Sequence, residues 1–229
     1  MKAATQADIL ASGATGADLC ESVLSMKAIL KRVADFTLSV LAIICLSPLL
    51  LVIAVTIRLT MGSPVIFGQL RAGYLGRAFY LFKFRSMDSG LDAMGRLLPD
   101  GQRLTRLGKI LRRYSVDELP QLWNVLIGDM SLVGPRPLLL DYLPRYSEEQ
   151  SRRHEVKPGI TGWAQINGRN SLEWEDKFQL DVWYVDHWSL GLDFWIVWRT
   201  LLTAFREQGV SRQGHPTMPE FMGKAREGE

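Results

Sequence analysis

From Phe36 to Ile57 the chain carries no charged residue, and Ser47-Pro48 stands in the middle of that run. About 20 apolar residues suffice for a helix to cross a bilayer. Lipid then imposes a strict condition, because every backbone N–H and C=O must find its partner within the protein. A removable secretory signal is the competing explanation. This run is long, starts late and lacks a small-x-small cleavage site, so membrane insertion is the expectation. Pro48 has no N–H to donate and its ring crowds the preceding turn, which predicts a bend. Ser47 can bond back to a carbonyl and deepen it. Each half is then ~11 residues, roughly 16 Å long, about half of the hydrocarbon core. Cations flank both ends, Lys31 and Arg32 before and Arg58 and Arg71 after. Positive residues favour the cytoplasmic face, so both ends favour the same side. A re-entrant helix with a Ser-Pro kink is predicted, and a kinked transmembrane span is the alternative.

The remainder of the 229 residues suits one catalytic-sized domain. Three segments are expected: a weakly ordered extension over 1–26, the membrane helix over 27–59, and a domain with interfacial helices over 60–229. Met26 is an alternative start. The net charge of +3 is too small for bulk nucleic-acid binding, although the basic residues cluster. Cys20 and Cys45 form neither a plausible disulfide nor a metal spacing, and His154, His187 and His215 are too scattered to read as ligands.

Pro64–Phe67 and Ala78–Phe82 read as short strands around Gly73 and Gly76. A basic amphipathic helix follows, with Leu104, Leu107, Ile110 and Leu111 on one side and Arg103, Arg106, Lys109, Arg112 and Arg113 over the rest. Beside a membrane anchor such a helix meets anionic headgroups, with Arg112 turned towards phosphates. Trp174, Trp183, Trp188, Trp195 and Trp198 crowd the C-terminal third, where Phe194–Phe205 is apolar but too short to span. These tryptophans suit an interface, and core packing explains some of them equally well. The fold class is α+β or α/β-like: mostly helices, with a small sheet.

Three polar constellations carry the chemistry. In Ser115-Val116-Asp117-Glu118-Leu119-Pro120-Gln121, Ser115 and Glu118 have capping-box spacing and Pro120 suits a helix start. Such a start also attracts phosphate. Neighbouring carboxylates point in different directions, so one can act as nucleophile while the other binds metal or moves a proton. In Gly134-Pro135-Arg136-Pro137 two prolines stiffen the backbone around one arginine, which lowers the entropy cost of gripping an anion. In Lys83-Phe84-Arg85, strand alternation puts both cations on one face.

Taken in order, Lys31-Arg32…Asp35, Ser47-Pro48, Lys83–Met87, Asp117–Gln121, Gly128–Pro137 and Lys157–Arg169 resemble the bacterial sugar transferase family, the monotopic phosphoglycosyl transferases. The resemblance runs from Lys27 to about Gly223. Leu97–Asp100, Asp141–Pro144 and Ser211–His215 are similar to the small members that transfer phospho-N,N′-diacetylbacillosamine. The multi-span N-terminal region of the larger hexose-1-phosphate transferases is not seen.

The resemblance implies a mechanism and site residues. Asp117 attacks the β-phosphate of a UDP-sugar, expels UMP and holds the sugar phosphate covalently until undecaprenyl phosphate takes it, the first membrane step of glycoconjugate assembly. Mg²⁺ is implied, held by Asp117 and Glu118, with Glu118 assisting the metal or the proton transfers. Lys83, Arg85, Arg112 and Arg136 are the implied phosphate binders, and Asp181 a supporting or substrate residue. The implied partners are a UDP-sugar, undecaprenyl phosphate and membrane lipids, with a homo-oligomer or downstream glycosyltransferases also open. The implied location is the cytoplasmic face of the bacterial inner membrane. A hexose-1-phosphate transferase and a non-catalytic glycosylation scaffold are the alternatives.

Overall fold

The computed structural model describes residues 16–90, 92, 94–96, 98–168, 172–204 and 220–223, with side chains from Met26 onward except at Asp100 and Ala204. Expectations resting on residues 1–15, on Leu97, on Arg169 and on Ser211–His215 lie outside the described residues.

Helix α1 runs Gly16–Met61 with Pro48 inside it. It begins ahead of Met26, where Ala17, Leu19, Glu21 and Leu24 favour helix. Ser47 Oγ donates to the Ile44 carbonyl at 2.8 Å, the back-bond expected beside the proline. The stretch Met26–Met61 is long and apolar enough to enter a membrane, and only 11% of its most apolar window is buried. A core helix of a soluble fold would be covered. Here Leu41, Ile44, Leu51 and Val52 stand exposed in the middle.

The two arms of α1 are held by the rest of the chain. In the first arm, Lys31 Nζ pairs with Asp193 at 2.5 Å, and Asp35 accepts from the Leu132 N–H at 3.2 Å. Arg32 donates to the carbonyls of Val125 and Leu126 at 2.5 and 2.6 Å. These carbonyls lie at the end of the helix Gln121–Ile127, so Arg32 meets acceptors that the helix terminus leaves open. Lys31 and Arg32 therefore serve as docking residues within the fold rather than only as charges that set orientation. In the second arm, Ile53 and Ile57 pack on Phe84 and Leu111.

Strands β1 (Ile66–Ala72) and β2 (Ala78–Phe84) form an antiparallel hairpin whose register runs from Ile66↔Phe84 to Ala72↔Ala78. Cross-strand pairing carries β1 on towards the turn, from Phe67 to Ala72, and carries β2 past Phe82 to Phe84 at the far end of the hairpin. Phe79 and Leu81 face inward and meet Val125 and Met130, whereas Tyr80 points out. Helix α2 spans Arg106–Arg113, capped by Thr105, whose side chain accepts from Gly108 N. A Cβ on Gly108 would come within 1.9 Å of the Ser86 carbonyl, so only glycine allows α2 to lie this close. Leu111 is buried as expected, while Ile110 faces outward.

Helix α3 (Gln121–Ile127) lies against β2 through fully buried Asn124, which accepts from the Phe82 N–H and donates to the Tyr80 carbonyl. Strands β3 (Ser131–Val133) and β4 (Gly159–Thr161) pair in parallel. Helices α4 (Trp174–His187) and α5 (Leu190–Ala204) complete the domain, so the α+β expectation holds. The tryptophans divide. Trp174 joins Tyr142, Tyr146, Phe178 and Phe221 in an aromatic core, and Trp188 packs inside while donating to Asp193. Trp183, Trp195 and Trp198 remain exposed together with Phe194, Leu201 and Leu202.

Candidate active site

Between α2 and α3 the chain makes a tight turn. Ser115 is left-handed at φ +54°, and a 3₁₀ turn follows over Val116–Glu118. The capping box suggested by Ser115 and Glu118 does not form. Ser115 is left-handed rather than extended, so its side chain caps nothing, and the Glu118 side chain is drawn away by two cations. Helix α3 begins after Pro120, where a proline is tolerated.

The Glu118 carboxylate accepts from Lys83 Nζ at 2.7 Å and from Arg136 Nη2 at 2.5 Å, with a longer bond to Arg136 Nη1 at 3.4 Å. Burial opposes its ionisation, but Arg136 and Lys83 outweigh burial, so its pKa falls well below the ordinary carboxylate value. Asp117 behaves oppositely. It is 6% exposed, and among the described residues nothing hydrogen-bonds its carboxylate. Burial, then repulsion from Glu118, raises its pKa against the pull of Lys83, Arg112 and Arg136. Two adjacent carboxylates thus occupy opposite electrostatic states, one locked and one free.

Arg136 projects outward, its side chain 48% exposed, between buried Pro135 and Pro137. Its turn is fixed from behind. A Cβ on Gly134 would stand 2.2 Å from the Lys157 carbonyl, and the Gly159 N–H donates to the Pro135 carbonyl at 3.0 Å. Arg153 donates to the Arg136 carbonyl at 2.7 Å and pairs with Asp181 at 2.7 Å. Asp181 is only 4% exposed, and its carboxylate is taken up by Arg153. It neutralises Arg153, which holds the Arg136 turn.

Arg85 also departs from its expected role. It follows the end of β2, and its guanidinium donates to the carbonyls of Met61, Ser63 and Met87, closing the foot of α1 on the hairpin. Those bonds, with Asp88 and Ser89 beyond them, occupy the donors that an anion would need. Arg112 donates to Ser86 Oγ at 3.0 Å and lies near enough to Asp117 to lower its pKa. Lys83, Arg112 and Arg136 thus converge on the dyad, and Arg85 does not. The two described histidines serve packing: His154 is buried with Nδ1 on the Gly73 carbonyl, and His187 stacks on Trp183. Burial and then Arg153 lower the His154 pKa to about 4.

Sequence reasoning treated Arg71 only as a flanking cation. It lines a cavity of about 50 Å³ together with Lys83, Gln121 and Arg136. The hairpin held the signal. Since Phe67 pairs with Lys83 and Arg71 with Phe79, odd-numbered residues of both strands share one face, which puts Arg71 on the side of Lys83.

The family model for bacterial sugar transferases matches residues 26–207. An uncharacterized sugar transferase, EpsL, of Bacillus subtilis is 54% identical over 85% of this chain and 96% of its own length. An undecaprenyl-phosphate glucose phosphotransferase of Komagataeibacter xylinus is 46% identical over 75% of this chain but 35% of its own. An Aeromonas hydrophila UDP-N-acetylgalactosamine-undecaprenyl-phosphate N-acetylgalactosaminephosphotransferase is 42% identical over 78% of this chain and 45% of its own. The chain therefore spans almost all of the Bacillus relative and less than half of the two others.

Proposed function

Because the chain belongs to the bacterial sugar transferase family, we propose that it moves a sugar-1-phosphate from a UDP-sugar to undecaprenyl phosphate and releases UMP. The observation that carries this reading is the dyad: a buried, unbonded Asp117 beside a Glu118 locked by Lys83 and Arg136. A free carboxylate whose neighbour cannot move is suited to attack. An Asp117 oxygen bonds to the β-phosphorus as the bond to the bridging oxygen breaks, and UMP leaves with that electron pair. An oxygen of undecaprenyl phosphate then attacks the same phosphorus and frees Asp117. Lys83, Arg112 and Arg136 offset the phosphoryl charge, with Arg136 presented in fixed geometry by its two prolines.

Mg²⁺ is part of the proposal. It is commonly bound through one or two carboxylates plus substrate phosphates, so the dyad fits its habit without a larger ligand cluster. Asp117 would be the direct ligand, since the Glu118 oxygens already accept from cations. Mutual repulsion of the two carboxylates is what a divalent cation would relieve. When bound, the ion supplies charge neutralisation at the diphosphate.

The proposed setting is the cytoplasmic face of the inner membrane, with α1 re-entrant. A straight helix would separate Arg32 from Ile57 by roughly 38 Å. Yet Arg32 caps α3 at Val125, while Ile57 packs on Phe84, close along β2 to the Phe82 bonded by Asn124. Such closely placed docking points favour a helix that folds back at Ser47-Pro48.

The proposed sugar is N-acetylated, with diacetylbacillosamine the leading case. The glucose phosphotransferase among the relatives supports a hexose as the second reading. A radiolabelled UDP-sugar panel with undecaprenyl phosphate decides between them. One sugar should give UMP release and labelled lipid, and a panel with no turnover would leave a scaffold as the better reading.

A further inference from the structure

The face that carries Lys83 also holds Arg71, a cation the mechanism above leaves idle. Three cations, Arg71, Lys83 and Arg136, line one cavity of about 50 Å³. The carboxylate that answers them, Glu118, is already shared between Lys83 and Arg136. Among the described residues Arg71 bonds only a neutral acceptor, Gln69 Oε1 at 2.7 Å, and its Nε is buried without a hydrogen-bond partner. Burial and then the like charge of Arg136 lower its pKa. Gln121 lines the same cavity, 3% exposed, and among the described residues its amide makes no hydrogen bond. Arg153 provides the contrast. It is buried where Arg71 is half-buried, and Asp181 matches its charge within the fold.

A half-buried charge with no carboxylate bonded to it and a buried, unbonded N–H both carry a desolvation cost, and one anion with several acceptor oxygens removes both. A water needs roughly 10–15 Å³ of such space, so this cavity has room for about three to five, on the scale of one phosphate group. We propose that Arg71, with Gln121 beside it, forms a phosphate-binding subsite facing Lys83 and Arg136. The assignment rests on the transferase reading. It leaves two sources for the phosphate, the nucleotide side of the UDP-sugar and the head of undecaprenyl phosphate.

The test uses the full chain in nanodiscs and compares wild type, Arg71→Gln and Arg71→Lys. The KM of each substrate is measured at saturating concentrations of the other, and UDP is titrated directly. Loss of one charged hydrogen bond should raise one KM by roughly tenfold to a hundredfold in Arg71→Gln, with partial recovery in Arg71→Lys. A higher UDP-sugar KM with weaker UDP binding identifies the nucleotide as the source. A higher KM for undecaprenyl phosphate alone identifies the lipid. If both KM values and the UDP affinity stay within about twofold of wild type, Arg71 is structural and the subsite is wrong, whatever the melting temperature does. If Arg71→Gln does not fold, Gln121→Ala and Arg71→Lys carry the same measurements. A wild type that binds UDP yet transfers no sugar phosphate would defeat the transferase reading instead.

Discussion

Asp117 and Glu118 are neighbours in sequence and opposites in physics. Ionised Asp117 is disfavoured in the folded chain by burial and by Glu118. Its folded pKa lies above its unfolded pKa, so its charge costs stability once the pH exceeds the ordinary carboxylate range. Asp117→Asn should therefore abolish turnover, by several orders of magnitude, while raising the melting temperature at pH 7. That stabilisation should vanish below about pH 4, where Asp117 is protonated in both states. Mass spectrometry with UDP-sugar alone should find the sugar-phosphate adduct on the wild type and none on the mutant; an adduct on Asp117→Asn would remove Asp117 as the nucleophile. Glu118 carries the reverse sign, since its depressed pKa gives stability above the ordinary carboxylate pKa that is lost as the pH falls. Glu118→Gln removes a repulsive charge from Asp117 and releases Lys83 and Arg136 to act on it. The acidic limb of the first half-reaction should then move to lower pH in a UMP-release profile. The substitution should cost roughly 1–3 kcal/mol, discounted because Arg136 is half exposed. An unmoved limb would mean that Asp117 does not set it.

At the scale of elements, the arginine between two prolines depends on backbone crossings rather than on the prolines alone. Gly134 N donates to the Thr161 carbonyl, and the Gly134 backbone lies against Lys157–Gly159 with no room for a side chain. Gly134→Ala should lower stability by about 3 kcal/mol, as overpacking does. It should also weaken activity through displacement of Arg136, read as a fall in melting temperature together with a fall in kcat. Full activity with a lowered melting point would show that the turn can shift without moving the guanidinium. The motif was legible as a sequence of residues. Its partner strand, about 25 residues later, was not, because parallel pairing leaves no local signal.

At the scale of the whole molecule, α1 is an exposed apolar helix held at both arms by one domain. Tags at Met1 and Glu229 should both be cytoplasmic in protease-protection or labelling assays. Pro48→Ala should straighten the helix and send a fraction of molecules into a spanning orientation. A periplasmic N-terminus in the unmodified protein would overturn the re-entrant arrangement.

The sequence by itself determined the apolar run with its proline, the α+β class, the order of motifs and therefore the family. Each of these is written in local pattern: periodicity, fixed dihedrals and short spacings. Tertiary structure decided how the charges are spent, because an ion pair is a matter of distance in space. Lys31 and Arg32, read from the sequence as flanking charges, dock α1 on the domain. Arg85 closes the foot of that helix, and Asp181 serves Arg153. Arg71, read from the sequence as a flanking charge, faces the dyad's cavity because a hairpin turn brings its strand alongside Lys83.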